Sequence, residues 1–368
     1  MAEPFFRVEM MPAKHGDALL VEYGRERTRR LLIDAGPLGA WKEVEGRLAQ
    51  IPAGDQRVEL VVVTHVDTDH IEGMIRLMAQ PLQRWPIVAE EIWFNGWKHI
   101  DQAQAKVLGG REGEMMSALI AHRLAGKWNR AFGGNAALCG AGKDVVPLAD
   151  GMQLTMLSPD AAALAALAKD WKAKLTGDWS IKPGDLEAAW GKLVDENRFH
   201  PGAELTLGPE DLTAQLRKLL KGVDPSKANG SSIGFIAGFA GKTCMFLGDA
   251  HMKVVCASLR RAGCSEQKPL RIDAVKVSHH GSKNNITPEF VALVDAAHWL
   301  FSSNGDQHGH PDKEAVEAVV EGSIRAPTLW FNYRTEHTEP WERAAAAPGA
   351  RHKVRLPAQG AAGMVVPL

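Results

Sequence analysis

The sequence predicts an α/β protein that carries a helical insertion, and three observations predict it. Strand and helix signals alternate in two blocks, over residues 1–100 and again from 225 to about 335. Between the blocks, residues 100–225 take on mostly helical spacing. In addition, four apolar strands end in short clusters of His, Asp and Ser, at Val61–Gly73, Phe246–Ala250, Lys276–Ser282 and shortly after Trp299–Ser303.

In the first block, FFRVEMM and ALLVEYG read as strands on either side of the turn AKHGD, and RRLLIDAG is a third strand. AWKEVEGRLAQI follows as a helix, VELVVVTH as a buried strand, and EEIWFNG as one more strand. The insertion holds EGEMMSALIAHRLAGKWNRAF, DAAALAALAKDWKAKL, PGDLEAAWGKLVDEN and GPEDLTAQLRKLLKGV as helices, two of them opening at Pro or Asp. GMQLTMLSPD within it is a strand returning to the sheet. Trp128, Trp171, Trp179 and Trp190 are expected to pack rather than to stack on bases.

The second block opens with SIGFIAGFAGKTCMFLGDA, a hairpin turning at Ala240-Gly241. HMKVVCASLRRAG is a helix, IDAVKVSHHGS a strand, PEFVALVDAA a helix and HWLFSSN a strand. GHPDKEAVEAVVEG is a capped helix and TLWFNY a strand. The tail has two short apolar runs expected at sheet edges. The whole is expected to be one domain over 1–368, with 100–225 as a helical cap within it.

Composition narrows the function classes. The formal net charge of −1 gives no overall positive field of the kind that announces nucleic acid, though a local basic groove is compatible with it. Cys139, Cys244, Cys256 and Cys264 form no CxxC pair and read as reduced packing thiols. MAEPFFRVEMMPAKHGD lacks a basic segment followed by an apolar core, and no run approaches eighteen apolar residues. A cytoplasmic protein without a membrane partner is expected.

The chemistry-bearing stretch is VVVTHVDTDHIEG. Its polar side chains follow a strand, in a loop able to turn His65, Asp67, Asp69 and His70 towards one point. FLGDA adds Asp249, a carboxylate able to bridge two cations. KVSHHGS adds His279 and His280, and DQHGHPD adds His308 and His310.

Together with KHGDALLVEY, RRLLIDAG and ANGSSIGFI, this motif series resembles the metallo-hydrolase domain of ComEC-type DNA-uptake proteins, within the metallo-β-lactamase fold. The resemblance covers most of 1–100 and 225–335. It implies a four-layered αββα sandwich holding two divalent cations, zinc or manganese. By position, His65 and Asp67 would hold one ion, Asp69, His70 and His280 the other, and Asp249 both. His280 is preferred to His279 because it directly precedes Gly281, which leaves His279 behind the ligands. Asn229 stands where many relatives have a histidine, as a weak amide ligand or a group holding water. Asp34 is expected to orient a ligand histidine, and Asp17 either does likewise or caps a turn. His15 replaces the usual glutamine and adds a hydrogen-bonding group near the ions. Glu72 replaces glycine and is expected to put negative charge at the rim, unless it turns away or pairs with a base.

The inner shell so implied is rich in carboxylates, which makes manganese a competitor to zinc. A hydroxide held between two such ions suits attack on a phosphodiester. His310 would assist as general acid or phosphate clamp, or else cap the helix that follows it. Ser282 and Lys283 are placed to contact phosphate oxygens, with Lys283 equally a solvated lysine, and His308 stands beside them as a substrate contact. The leading expectation is a phosphodiesterase or nuclease acting on DNA or RNA. Competing with it are a hydrolase of a small lactone, thioester or nucleotide, and a non-catalytic metal-stabilised module whose insertion binds a protein partner. A basic stripe decides between the first two. If Arg123, Lys127, Arg130, Arg217, Lys218, Lys221, Arg260 and Arg261 gather near His65, nucleic acid gains, and if they scatter, a small substrate gains.

Overall fold

A computed structural model of the chain describes residues 2–103, 111–142, 144–174, 181–200 and 225–368. The first strands are β1 (Phe5–Met10), β2 (Leu19–Gly24) and β3 (Thr28–Ile33), followed by helix α1 (Trp41–Leu48). Next come β4 (Arg57–Val58), β5 (Leu60–Val62), α2 (Thr68–Ala79), β6 (Val88–Ala89) and β7 (Ile92–Trp93). β2 shows why two faces are buried. Its Leu19, Val21 and Tyr23 point one way and its Leu20 the other, and all four are buried. A sheet apolar on both faces needs cover on both.

The second half supplies that cover. After α3 (Trp97–Ala103) and α4 (Arg111–Leu124) come β8 (Val145–Pro147), β9 (Gln153–Ser158), α5 (Ala161–Lys174), α6 (Leu186–Asp195) and α7 (Pro225–Gly230). The hairpin β10 (Gly234–Phe239) and β11 (Lys242–Phe246) follows, turning at Ala240 and Gly241, both at positive φ. The remainder is α8 (Met252–Arg261), β12 (Leu270–Lys276), α9 (Pro288–Ala292), β13 (Val294–Phe301), α10 (Lys313–Gly322), β14 (Thr328–Phe331), α11 (Glu339–Ala345), β15 (Lys353–Arg355) and β16 (Met364–Pro367).

One sheet runs β16-β1-β2-β3-β5-β7, and the other β15-β14-β13-β12-β11-β10-β9-β8. Both tail strands are edges, as their short apolar runs predict. The sheets face each other across a core that includes Val8, Val21, Ile33, Leu60, Phe235, Cys244 and Phe246. Outside the first sheet, Leu20, Leu32 and Val61 pack with Trp41, Met74 and Leu119 of α1, α2 and α4. Outside the second, Met245, Val275 and Trp299 pack with Val255, Phe290 and Val316 of α8, α9 and α10. Helix, sheet, sheet and helix give four layers, an αββα sandwich.

Four local readings differ from the structure. The first is α4, which ends at Leu124, while the stretch to Phe132 read as its continuation turns through Asn129 at φ 48. Asp69 and His70 lie in the first turn of α2 rather than in a loop, because Ile71, Met74, Ile75 and Met78 repeat at helical spacing and Asp67 stands at the N-cap. The helix from Pro288 ends at Ala292. Val294–Ala297 belong to β13, where Val294–Ala296 pair in parallel register with Leu270–Ile272 of β12. VELVVVTH divides, with Arg57–Val58 pairing β6 in a separate ribbon. The helix expected over GPEDLTAQLRKLLKGV lies outside the described residues.

The helices of 97–200 do not stand apart from the sandwich. Met115, Leu119, Leu193 and Phe199 share one core cluster with Ile71 and Met74 of α2. Trp128 is buried there as packing, as expected, while the side chains of Trp171 and Trp179 lie outside the described residues.

Of the two expectations for Glu72, the structure shows the paired one and not the rim charge: it is buried on α2, where it accepts from the Leu38 N–H at 2.9 Å and pairs with Arg198 at 2.9 Å. Arg198 also reaches Glu112 at 3.6 Å and covers the Phe199 ring, so one guanidinium ties two segments of the helical region to α2. Burial raises the Glu72 carboxyl to about 7, with Arg198 and the Leu38 N–H pulling the other way. A raised carboxyl lends stability below its ordinary range and loses it as pH rises through about 7. Glu72→Gln should therefore gain on wild type by more than about 1 kcal/mol between pH 5 and pH 8. Urea denaturation at the two pH values measures this, and an unchanged difference would count against a buried, titrating Glu72.

Candidate metal centre

The parallel strands β3, β5, β11, β12 and β13 all release their chains at one edge of the sandwich. Asp34 follows β3, His65 follows β5, Asp249 follows β11, His279 and His280 follow β12, and Ser302 follows β13. Asp17 arrives from the β1–β2 turn. Its neighbour Gly16 is pressed so closely to α2 that a Cβ there would sit 1.9 Å from the Asp69 carbonyl oxygen. The N-terminus of α2 brings Asp67, Asp69 and His70 to the same edge, where its dipole favours carboxylates.

The histidine rings are held from behind. Asp34 accepts from His70 Nδ1 at 2.8 Å and from the Thr64 hydroxyl at 2.6 Å. That hydroxyl, its proton so committed, accepts in turn from His65 Nδ1 at 3.0 Å. Asp17 accepts from His280 Nδ1 at 3.2 Å and from Ser302 Oγ at 2.5 Å. Each network assigns the proton to Nδ1 and leaves the Nε2 lone pair facing inward. His70 Nε2 lies 3.3 Å from Asp249 Oδ1, and His280 Nε2 lies 3.1 Å from Asp69 Oδ2 and 3.8 Å from Asp249 Oδ1. His65 Nε2 lies 3.5 Å from Asp67 Oδ2 and 3.8 Å from the other Asp249 oxygen.

Asp17, His70, Asp249 and His280, all buried, offer ligand atoms within 4.8 Å of one another, a metal-binding cluster. Asp17 belongs to its rear wall, because its oxygens are already taken by Lys276 at 2.7 Å, Ser302 and His280 Nδ1. The inward groups are His70, His280, Asp69 and Asp249 on one side, and His65 and Asp67 beside the second oxygen of Asp249. Two observations show that these residues fit cations. His65 Nε2 and Asp249 Oδ1 are buried without a hydrogen-bond partner. Moreover, Asp17, Asp34, Asp67, Asp69 and Asp249 converge here, with Lys276 paired to Asp17, so the cluster favours cations.

Protonation of the metal-free centre reflects that convergence. Burial works against the charged His280 imidazole, yet Asp249, Asp17 and the hydrogen bonds to Asp17 and Asp69 outweigh it and raise it to about 9. His70 is raised likewise against burial, by Asp249 and Asp69. Asp69, Asp249 and Asp17 overcome burial in the opposite sense, held well below the carboxylate range by these imidazoles and, for Asp17, by Lys276 first.

Other residues singled out in the sequence lie at varying remove. Asn229 is buried with its amide 3.4 Å from His279 Nδ1. His15 stands near Asp69 and His280, its pKa lowered mainly by burial. His310 packs 5.6 Å from the His279 ring and 5.8 Å from the His308 ring, and burial lowers it to about 4 against the pull of Asp312. The Ser282 hydroxyl is buried and accepts from the Asn284 N–H at 3.4 Å. Lys283 is exposed and paired with Glu314 at 3.0 Å, which favours the solvated reading.

Among the described residues, the basic candidates do not gather here. Lys127 donates to the Ala89 carbonyl and Arg130 pairs with Glu91, both just before β7 and so at the end of that strand away from the ligands. Arg123 lies over Trp190, Arg260 pairs with Glu289, and Arg261 donates to Ser258. Arg217, Lys218 and Lys221 lie outside the described residues.

Sequence reasoning missed Thr64, Lys276, Ser302 and Asn285. Thr64 and Lys276 sit inside the quoted motifs, next to or near the ligands, and that position was the available signal. Ser302 ends the apolar strand HWLFSSN, a position that was its signal, and Asn285 carried none.

No protein family matches the sequence, and no curated protein matches it. Among solved structures, a mutant of CmlA beta-hydroxylase is similar over 100% of this chain and 54% of its own, at 8% identity and TM-score 0.38. CmlA from Streptomyces venezuelae, a diiron beta-hydroxylase, is similar over 100% and 55%, at 11% identity and TM-score 0.37. Zn(2+)-bound PqqB from Methylobacterium extorquens is similar over 98% and 100%, at 12% identity and TM-score 0.43. The chain thus spans about half the length of the CmlA chains it resembles. Among the described residues, no helix is long and apolar enough to cross a membrane.

Two outcomes follow from the charge balance. Lys276→Met should cost about 3–5 kcal/mol in chelator-treated protein, by stranding buried Asp17. Adding Asp17→Asn should recover most of that loss in urea denaturation, and no recovery would mean that the pair is not electrostatically coupled. In the metal-free chain, the stabilising charge on His280 is fully present below pH 6.5 and lost as pH rises through about 9. Cations compete with that proton, so the rise in Tm on adding zinc or manganese should grow between pH 6.5 and 9. A Tm shift that stays flat over this range would show that metal does not displace the proton.

Proposed function

We propose that this chain is a metal-dependent hydrolase of phosphodiesters, its centre taking two divalent ions, zinc or manganese. The observation that carries the reading is Asp249, a buried carboxylate whose two oxygens face imidazole Nε2 atoms on opposite sides. In this reading His65 and Asp67 hold one ion, Asp69, His70 and His280 hold the other, and Asp249 serves both. The oxygen-rich donor set suits manganese as well as zinc. Such a pair, when bound, makes water acidic enough to act as a nucleophile and stabilises charge on the attacked phosphoryl oxygen.

The chain's own groups do the positioning. Asp34, Thr64 and Asp17 fix the ring tautomers, and Lys276 keeps Asp17 ionised behind them. His310 is neutral at pH 7, which suits a hydrogen-bonding clamp on a substrate oxygen better than a proton donor. His15 stands near Asp69 with its pKa lowered by burial, and His308 packs beside His310. Asn229 lies against His279, and Ser282 ends the turn that carries His279 and His280. The catalytic unit is read as one domain, with the helices of 100–225 as a cap held against α2 through Arg198.

The motif series that resembles ComEC-type domains favours DNA or RNA as substrate. The basic side chains favour something smaller, because those described are engaged by local partners instead of lining the ligand edge. A small phosphodiester of the nucleotide class is therefore the substrate we infer.

The test is turnover of bis(p-nitrophenyl) phosphate, a cyclic dinucleotide, and single- and double-stranded DNA and RNA, each with Mg, Mn and Zn. Small diesters should be cleaved faster than polymers, and Asp69→Ala should lose at least about 100-fold. Activity surviving that substitution rejects the site, and preference for a polymer moves the substrate to nucleic acid.

A further inference from the structure

The four imidazoles nearest Asp249 share one arrangement, and only three of them have so far been given to an ion. His65, His70 and His280 each commit Nδ1 to an acceptor and turn Nε2 towards Asp249. His279 does the same. Its Nδ1 lies 3.0 Å from Asn285 Oδ1, and its Nε2 lies 3.7 Å from Asp249 Oδ2, the oxygen that His65 Nε2 approaches at 3.8 Å. The Asn285 amide cannot easily be the other way round. Its Nδ2 faces the Asp249 and Ala250 carbonyls at 3.3 and 3.2 Å, which leaves Oδ1 for the ring. Asn285 Oδ1 is the nearer partner of Nδ1, the Asn229 amide lying farther off at 3.4 Å, and Nε2 is the ring nitrogen turned to Asp249.

The backbone is built to divide the two neighbouring histidines. His279 (φ 50, ψ 48) and His280 (φ 53, ψ 16) are consecutive left-handed residues, a conformation that costs about 1–3 kcal/mol at each non-glycine position. Gly281 follows at φ 91, where a Cβ would come within 2.8 Å of Pro311. The resulting turn sends His280 to one oxygen of Asp249 and His279 to the other.

We propose that His279 is a direct ligand of the ion held by His65, Asp67 and Asp249, supplying through Nε2 the imidazole that Asn229 does not. This rests on the two-ion reading given above. Both sides of Asp249 are then ligated alike, two imidazoles and one further aspartate each: His65, His279 and Asp67 on one side, His70, His280 and Asp69 on the other. His279 is also more exposed than the other three rings, which puts the ion it serves nearer the mouth.

The test counts ions rather than turnover. Full-length chain is stripped of metal and titrated with Co(II), following its visible ligand-field absorption, with bound metal per chain measured by elemental analysis. Wild type should take two ions. His279→Ala should weaken one of them by more than about 100-fold, beyond the roughly 10–100-fold that loss of an outer-shell partner costs, and leave the other unchanged. His280→Ala should weaken the opposite one, and the double variant should hold neither tightly. His279→Asp, which restores a ligand atom, should recover the lost ion, whereas His279→Gln should not, so a folding defect is separable from a lost ligand. Two ions bound to His279→Ala with unchanged affinity and spectrum overturn the proposal alone. Fewer than two in wild type overturn the two-ion reading and the proposal with it.

Discussion

Burying several aspartates within reach of one another is the constraint that the surrounding structure answers. A lone carboxylate removed from water is expensive, and a cluster multiplies the expense through mutual repulsion. The chain meets this by giving each carboxylate its own compensation. Asp34 takes one imidazole and one hydroxyl, and Asp17 takes an ammonium, a hydroxyl and an imidazole. Only Asp67, Asp69 and Asp249 look inward, where cations would complete the balance.

That arrangement depends on the sandwich. Asp34 and His65 come from the ends of β3 and β5, while Asp249, His280 and Ser302 come from the ends of β11, β12 and β13. Parallel strands in both sheets release their chains at the same edge, and short loops there need span no great distance. The first turn of α2 fits between them because Gly16 has no side chain to keep the β1–β2 turn away. Arg198 then fastens α2 to the helical region through Glu72, so the ligand helix is braced on the side away from the centre.

Much of this was legible in the sequence, for identifiable reasons. Alternation of apolar residues gave the strands, and His-x-Asp-x-Asp-His after VVVT pointed to a metal loop. What escaped was long-range or quantitative. The contact from Lys276 to Asp17 spans 259 residues and that from Ser302 to Asp17 spans 285, and no local pattern encodes either. Val294–Ala297 read as helix because alanines carry helical propensity, but pairing along β12 overrode it. For Glu72 the sequence left a rim charge and a pairing with some base both open, because the partner, Arg198, lies 126 residues away in a region whose packing no local pattern encodes. The choice between His279 and His280 was posed as an alternative because sequence cannot report a left-handed turn at non-glycine residues.

The order of the ligands along the chain has a consequence for biosynthesis. His65, Asp67, Asp69 and His70 emerge from the ribosome early, whereas Asp249, His279 and His280 follow only after about 180 further residues, and each side of Asp249 draws on both groups. A nascent chain therefore presents only part of this cluster and cannot assemble it until its second sheet has docked. If the centre takes cations as proposed, their capture follows that docking, and the ion is drawn from the pool the folded chain then meets.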